Sequence, residues 1–139
     1  MRKKIIFLSF IIVNTFFCNG CFAIKQPIHN IQNAPIHNSE NLSYDQIEQA
    51  IINAGMELGW KINKIKSGLI VGIFTSPSYM AVIDIKYDAS IYNITYRDGT
   101  NLQYDGNNID KQYNNWIKNL NAAIQKKLLD NLSDNVSTL

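Results

Sequence analysis

Tyr79-Met-Ala-Val-Ile-Asp-Ile-Lys-Tyr87, closed by Asp88-Ala-Ser90 and answered by Tyr92-Asn-Ile-Thr-Tyr96, is the stretch that decides the fold. Ala81, Ile83, Ile85 and Tyr87 fall on one side, and Met80, Val82, Asp84 and Lys86 on the other. This period of two marks a strand buried on one face only. Tyr92, Ile94 and Tyr96 repeat the pattern against Asn93, Thr95 and Arg97, and the Asp-Ala-Ser turn makes the two strands antiparallel.

Working outward toward the N-terminus, Ser76-Pro77-Ser78 is a turn and the β-branched run of residues 69–75 is a third strand. Ser67-Gly68 turns the chain again, into a strand beginning Trp60-Lys-Ile-Asn63. Before it, Ser43-Tyr-Asp-Gln46 reads as a capping box. It opens a helix whose apolar stripe is Ile47, Ala50, Ile51, Ala54 and Leu58, and Gly59 is placed to stop it. Gly55 costs such a helix about 1 kcal/mol relative to alanine, which predicts a close approach to the sheet. Toward the C-terminus, Asp98-Gly-Thr-Asn101 and Asp105-Gly-Asn-Asn108 read as loops. A second helix follows, capped by Asn107 or Asn108, with the stripe Ile109, Tyr113, Ile117, Leu120, Ile124 and Leu128.

The expected architecture is α+β: a two-layer sandwich in which an antiparallel four-stranded meander carries two helices on one face, in the order α-β-β-β-β-α. Residues 43–132 form that domain, and residues 133–139 are expected as a flexible tail.

The chain begins with a different signature. Met1-Arg-Lys-Lys4 is a cationic head, and residues 5–17 are almost unbroken apolar sequence, too short for the ~20 residues of a membrane-crossing helix. This is the pattern of a bacterial export signal, residues 1–20. Gly20-Cys21 then reads as a lipobox, with Cys21 the lipidated residue and lipid chains holding the protein to a membrane. Cleavage after Ala23 is the alternative, and would release a soluble secreted protein. Residues 21–42, with two prolines and no helical period, read as an extended tether. Within it Pro27-Ile-His-Asn30 recurs as Pro35-Ile-His-Asn38, and either copy could add an edge strand. The chain's two cysteines, Cys18 and Cys21, both lie in the export region, so the domain itself contains no disulfide.

Three of the 13 basic residues belong to the export signal, which leaves ten against 11 acidic residues, about −1. Lys61, Lys64 and Lys66 form the one local basic cluster and read as the solvent side of a strand. A nucleic-acid partner would need a larger patch.

Chemistry is sparse in the domain. His29 and His37 have no carboxylate or thiol at ligand spacing. Asp98 and Asp105 could pair as glycosidase carboxylates, but both stand in Asp-Gly turns. Asp105, Asn107 and Asp110 form a broken calcium loop, since Ile109 occupies a ligand position and no glutamate closes it. No metal, cofactor or catalytic residue is therefore expected, and the domain is expected to be a monomer. The aromatic residues are the remaining signal. Trp116, at the edge of the stripe defined by Tyr113 and Ile117, forms with Tyr104 and Asn114 the candidate interaction surface.

Ala50-x-x-x-Ala54-Gly-x-x-x-Gly59-Trp60, Ile85-Lys-Tyr-Asp88, Tyr92-Asn-Ile-Thr-Tyr-Arg-Asp98, Asn101-Leu-Gln-Tyr-Asp-Gly106 and Tyr113-Asn-Asn-Trp-Ile-Lys-Asn-Leu120 together resemble a family of small, largely uncharacterised bacterial envelope lipoproteins. The resemblance covers nearly all of the chain after Cys21, and implies that Cys21 is the lipidated cysteine. Asp110 stands where such sequences often have histidine, and the lipobox is weaker than usual. The family lends no catalytic activity or ligand. The expected function is thus a non-catalytic, membrane-anchored module of the cell envelope that binds an envelope protein or wall component. It would face the periplasm or exterior, on the outer membrane in a Gram-negative cell. A secreted inhibitor or carbohydrate-binding module is the second class, and a hydrolase using Asp98 and Asp105 the third.

Overall fold

The computed structural model describes residues 24–137, so the expected export signal, both cysteines and the alternative cleavage point after Ala23 lie outside the described residues. The elements run β1 (Lys25–Pro27), β2 (Ile31–Pro35), one 3-10 turn (Ser39–Asn41), α1 (Tyr44–Glu57), β3 (Lys61–Lys66), β4 (Leu69–Thr75), β5 (Met80–Tyr87), β6 (Ile91–Thr100), β7 (Asn108–Asp110) and α2 (Lys111–Ser137). The class is α+β as expected, with two antiparallel sheets: β1 with β7, and five strands ordered β2-β6-β5-β4-β3.

The predicted α1 forms with its predicted caps. Ser43 Oγ accepts from the Gln46 N–H at 3.2 Å, and Gln46 Oε1 accepts from the Ser43 N–H at 2.9 Å. At the other end Gly59 adopts φ 81°, and the N–H groups of Gly59 and Trp60 donate to the carbonyls of Met56 and Gly55. This is the Schellman arrangement, which a left-handed glycine makes inexpensive. A Cβ on Gly55 would stand 2.5 Å from Ile62 Cδ1, so the glycine lets α1 close onto β3.

The four consecutive strands β3 to β6 form the meander. Its helix-facing side supplies Ile70, Ala81, Ile83, Ile85, Tyr87, Tyr92 and Ile94 to one core with Ile47, Ile51 and Ala54 of α1 and Tyr113, Ile117, Leu120, Ile124 and Leu128 of α2. Both helices cover this one face, and no described element covers the other. No helix among the described residues is long and apolar enough to cross a membrane.

A fifth strand corrects the four-stranded expectation, and the tether is where it comes from. β2 pairs antiparallel with β6 (Ile31 with Ile94, Pro35 with Ile91), and Ala34, Ile36 and Leu42 are core residues. The repeated tetrapeptide now has a role. Each proline is the last residue of a strand, β1 or β2, where the missing N–H ends the ladder. Each isoleucine then donates its N–H to a loop carbonyl, Ile28 to Asn107 and Ile36 to Ser90, and packs inward. Each asparagine shapes the exit: Asn30 Oδ1 accepts from the Tyr96 N–H, and Asn38 takes φ 51°, a left-handed value that asparagine tolerates. Both histidines point to solvent.

α2 also departs at both ends. Asn108 and Ile109 belong to β7, and Asp110 caps the helix, its Oδ1 accepting from the Gln112 N–H at 2.9 Å. The expected cap at Asn107 or Asn108 is thereby replaced, and Ile109 reaches the core from a strand. Asp98 and Gly99 lie within β6 and not in a loop, opposite Val82 and Ala81 after a bulge at Arg97. The helix continues through Ser137, past the expected end at residue 132. Asn131 and Asn135 donate to the carbonyls of Gln46 and Asn41, which ties this last stretch to the start of α1.

Candidate interaction surface

The structure does not gather Trp116, Tyr104 and Asn114 into one open surface. Asn114 is 3% exposed and internal: its Nδ2 donates to the Pro27 carbonyl at 2.9 Å and its Oδ1 accepts from the His29 N–H at 2.8 Å. It is a staple between α2 and the first tetrapeptide, which corrects its expected place on an interaction surface. Gln125, three turns further along α2, repeats the contact on the second copy, donating to the Pro35 carbonyl and to Tyr92 Oη. Asparagine-rich composition thus has a structural use: amide side chains on α2 hold the N-terminal segment along its length.

Trp116 is partly buried, with Phe74 at 4.6 Å and Tyr79 at 6.1 Å between ring centroids. Tyr104 is 43% exposed, its ring tilted 48° against Tyr96 with the centroids 4.5 Å apart, and its hydroxyl donates to the Gly106 carbonyl. Tyr96 also meets Tyr113 edge-on at 5.4 Å. The rings therefore pack chiefly on one another and fill the end of the domain near the start of α2.

The carboxylates occupy structural positions. Asp105 Oδ1 accepts from the Asn107 and Asn108 N–H groups and Oδ2 pairs with Lys25 at 3.3 Å; the two N–H groups first, then Lys25, hold its pKa down at about 2. Asp88 is likewise lowered by the Ser90 and Ile91 N–H groups of its turn. Glu48, 5% exposed on α1, takes Lys64 Nζ on one oxygen at 2.6 Å and the Tyr87 hydroxyl on the other. The Lys64 hydrogen bond first, then that of Tyr87, lowers the Glu48 pKa against the cost of burial. A lowered folded pKa contributes stability above the unfolded value, near 4.3, that is lost as pH falls through the folded one. Wild type should therefore lose more stability than Glu48→Gln between about pH 4.3 and the acid limit, measured by denaturant unfolding. Parallel curves would remove Glu48 from the acid response.

The uncovered face of the large sheet presents the remaining chemistry, and the register places it in rows. Lys66, Leu69, Lys86 and Asn93 line up across β3, β4, β5 and β6; the next row is Asn63, Val71, Asp84 and Thr95; then come Lys61, Ile73, Val82 and Asp98. Arg97, the bulge residue, pairs with Asp84 at 3.3 Å. Val71 is only 6% exposed although it lies outside the helix-side core. A cleft of about 400 Å³ opens at the first row, lined by Lys66, Leu69, Lys86, Ile91 and Asn93, with Asp88 at its rim.

Alternation along β3 separates Lys64 from Lys61, and a bulge between Lys64 and Lys66 returns Lys66 to the Lys61 side. Lys61 and Lys66 share the open face, whereas Lys64 turns to Glu48, so the three do not form one solvent side. The alternation Met80, Val82, Asp84, Lys86 identified this face from sequence; its neighbours on β3 and β4 needed the register.

The chain matches no protein-family model, and neither a curated protein nor a solved structure is significantly similar to it.

Proposed function

We propose that the protein is a non-catalytic lipoprotein of the bacterial cell envelope, anchored to a membrane through Cys21, whose domain binds an envelope protein or wall component. The carrying observation is the spacing between the lipobox and the fold. Gly20-Cys21 ends the apolar export segment, and β1 begins at Lys25, four residues after the cysteine. At ~3.3–3.6 Å per residue the first strand then lies within about 14 Å of the lipid attachment point. An anchored domain would sit close against the membrane, with the β1–β7 corner proximal. The role is one of binding because the histidines are on separate turns and the acids near β1 serve turns and caps.

Growth with a labelled fatty acid tests the anchor. Label should appear on the wild type and on Cys18→Ser, and disappear in Cys21→Ser. Label retained by Cys21→Ser, or missing from the wild type, would replace this reading with cleavage after Ala23 and release of a soluble module.

A further inference from the structure

We infer that the uncovered face of the five-stranded sheet receives an acidic polypeptide segment, with a carboxylate seated between Lys66 and Lys86 and aliphatic side chains laid against the half-buried Leu69 and Ile73. The inference names the surface and partner chemistry of the binding role proposed above and rests on that role, but not on the lipid anchor.

Charge carries the first part of the argument. Lys25, Lys64, Lys126, Lys127 and Arg97 all have carboxylate partners. Five cations make no ion pair among the described residues: Lys111 and Lys118 lie on α2, and Lys61, Lys66 and Lys86 all stand on this one face. With Arg97 the face holds four cations against Asp84 and Asp98, although the chain after the export signal is about −1. Asp88 at the cleft rim makes its hydrogen bonds to the Ser90 and Ile91 N–H groups and no ion pair with either lysine, so the cleft carries two cations against one carboxylate. Lys66 and Lys86 are two strands apart, about 10 Å between Cα atoms at ~4.8 Å per strand, with Leu69 between them. Two flexible ammonium groups at that span can both reach one carboxylate.

Shape and polarity choose the polypeptide. Leu69 and Ile73 are the half-buried apolar positions of β4 on this face, ~13–14 Å apart with the buried Val71 between them, a separation spanned by side chains four residues apart in an extended chain. Val82 and Met80 widen the apolar strip on β5. No aromatic ring stands in these rows, so the face offers no platform for stacking sugars or bases. Both edges are guarded: the lysines and the bulge of β3 oppose strand addition on one side, and the irregular register and terminal Pro35 of β2 oppose it on the other, which leaves the face as the place of contact. β2 runs from the β1 end toward the cleft, ending at Pro35 beside Ile91, so the cleft lies at the end of the sheet remote from β1.

The test uses the mature protein, ¹⁵N-labelled, and a synthetic peptide with a Glu-Glu pair followed by Leu-Ser-Leu-Ser-Leu. Binding should shift the amides of Leu69, Val71, Lys86 and Asn93. The exposed double variant Lys66→Glu/Lys86→Glu should keep its fold by circular dichroism and bind at least about tenfold more weakly, since like charges then meet. A Lys-Lys version of the peptide should bind that variant and recover the affinity. Equal affinity for wild type and double variant would overturn the inference. So would peptide shifts confined to the Tyr104–Trp116 end, an outcome that keeps the binding role and removes this surface. Peptidoglycan fragments shifting the sheet-face amides where the peptide does not would assign the face to wall material instead.

Discussion

Tyr113→Ala is expected to remove about 3–5 kcal/mol of stability, the range for deleting a large aromatic ring from a packed core. The ring is fully buried among the residues of both sheet and helix, edge-on to Tyr96. Its hydroxyl makes no hydrogen bond among the described residues, and burial pushes its pKa up. Ring and hydroxyl therefore act in opposite directions. Tyr113→Phe keeps the packing and deletes a buried polar group, which should be neutral or stabilising by up to about 1–3 kcal/mol, the desolvation penalty of such a group. Trp116→Ala, three residues on, should cost less, about 1–3 kcal/mol from two aromatic contacts of ~0.5–1.5 kcal/mol each. Urea unfolding of the three variants decides the ordering. A destabilised Tyr113→Phe would mean that the hydroxyl has a partner, and an equal loss for Trp116→Ala would make that residue core.

Asn114→Ala should cost about 2–4 kcal/mol, since two hydrogen bonds are lost and the Pro27 carbonyl and His29 N–H are left without partners. The damage should be local. Hydrogen exchange is expected to speed up in β1, β2 and the turn between them while α1 and the centre of the meander keep their protection, because the bonds removed join α2 only to Pro27 and His29 of that segment. Uniform loss of protection across the domain would show that this segment folds as one unit with the core. Gln125→Ala is the milder companion: its amide bonds Pro35 at 3.3 Å from a less buried site.

How far residues alone lead is clearest at three places. The capping box at Ser43, the stop at Gly59 and the alternation from Tyr79 to Tyr96 were all legible, because each depends on neighbours within a few positions or on a simple period. The Pro-Ile-His-Asn repeat was visible as a pattern but had no meaning until β1 and β2 were placed, since its hydrogen-bond partners Asn107 and Ser90 lie 79 and 54 positions away. Asn114 was misplaced for a related reason. An asparagine one step from a buried tyrosine reads as solvent-facing on a helix whose partners are sheet and solvent alone. The folded-back N-terminal segment supplies a third neighbour, and backbone groups without their own ladder partners draw the amide inward.

Local rules therefore determined α1, the four-stranded meander, the amphipathic stripe of α2 and the α+β class. Tertiary structure decided the rest: the fifth strand, the cap at Asp110, the extension of α2 to Ser137, and which lysines share a face. Those outcomes depend on register and on satisfying polar groups between segments far apart in the chain. Simple alternation from Lys61 turns Lys64 to Glu48, and one bulge between Lys64 and Lys66 returns Lys66 to the Lys61 face, beside Leu69 and Lys86. A side-chain period of two makes such a one-residue slip reverse the face, and composition carries no record of where the slip occurs.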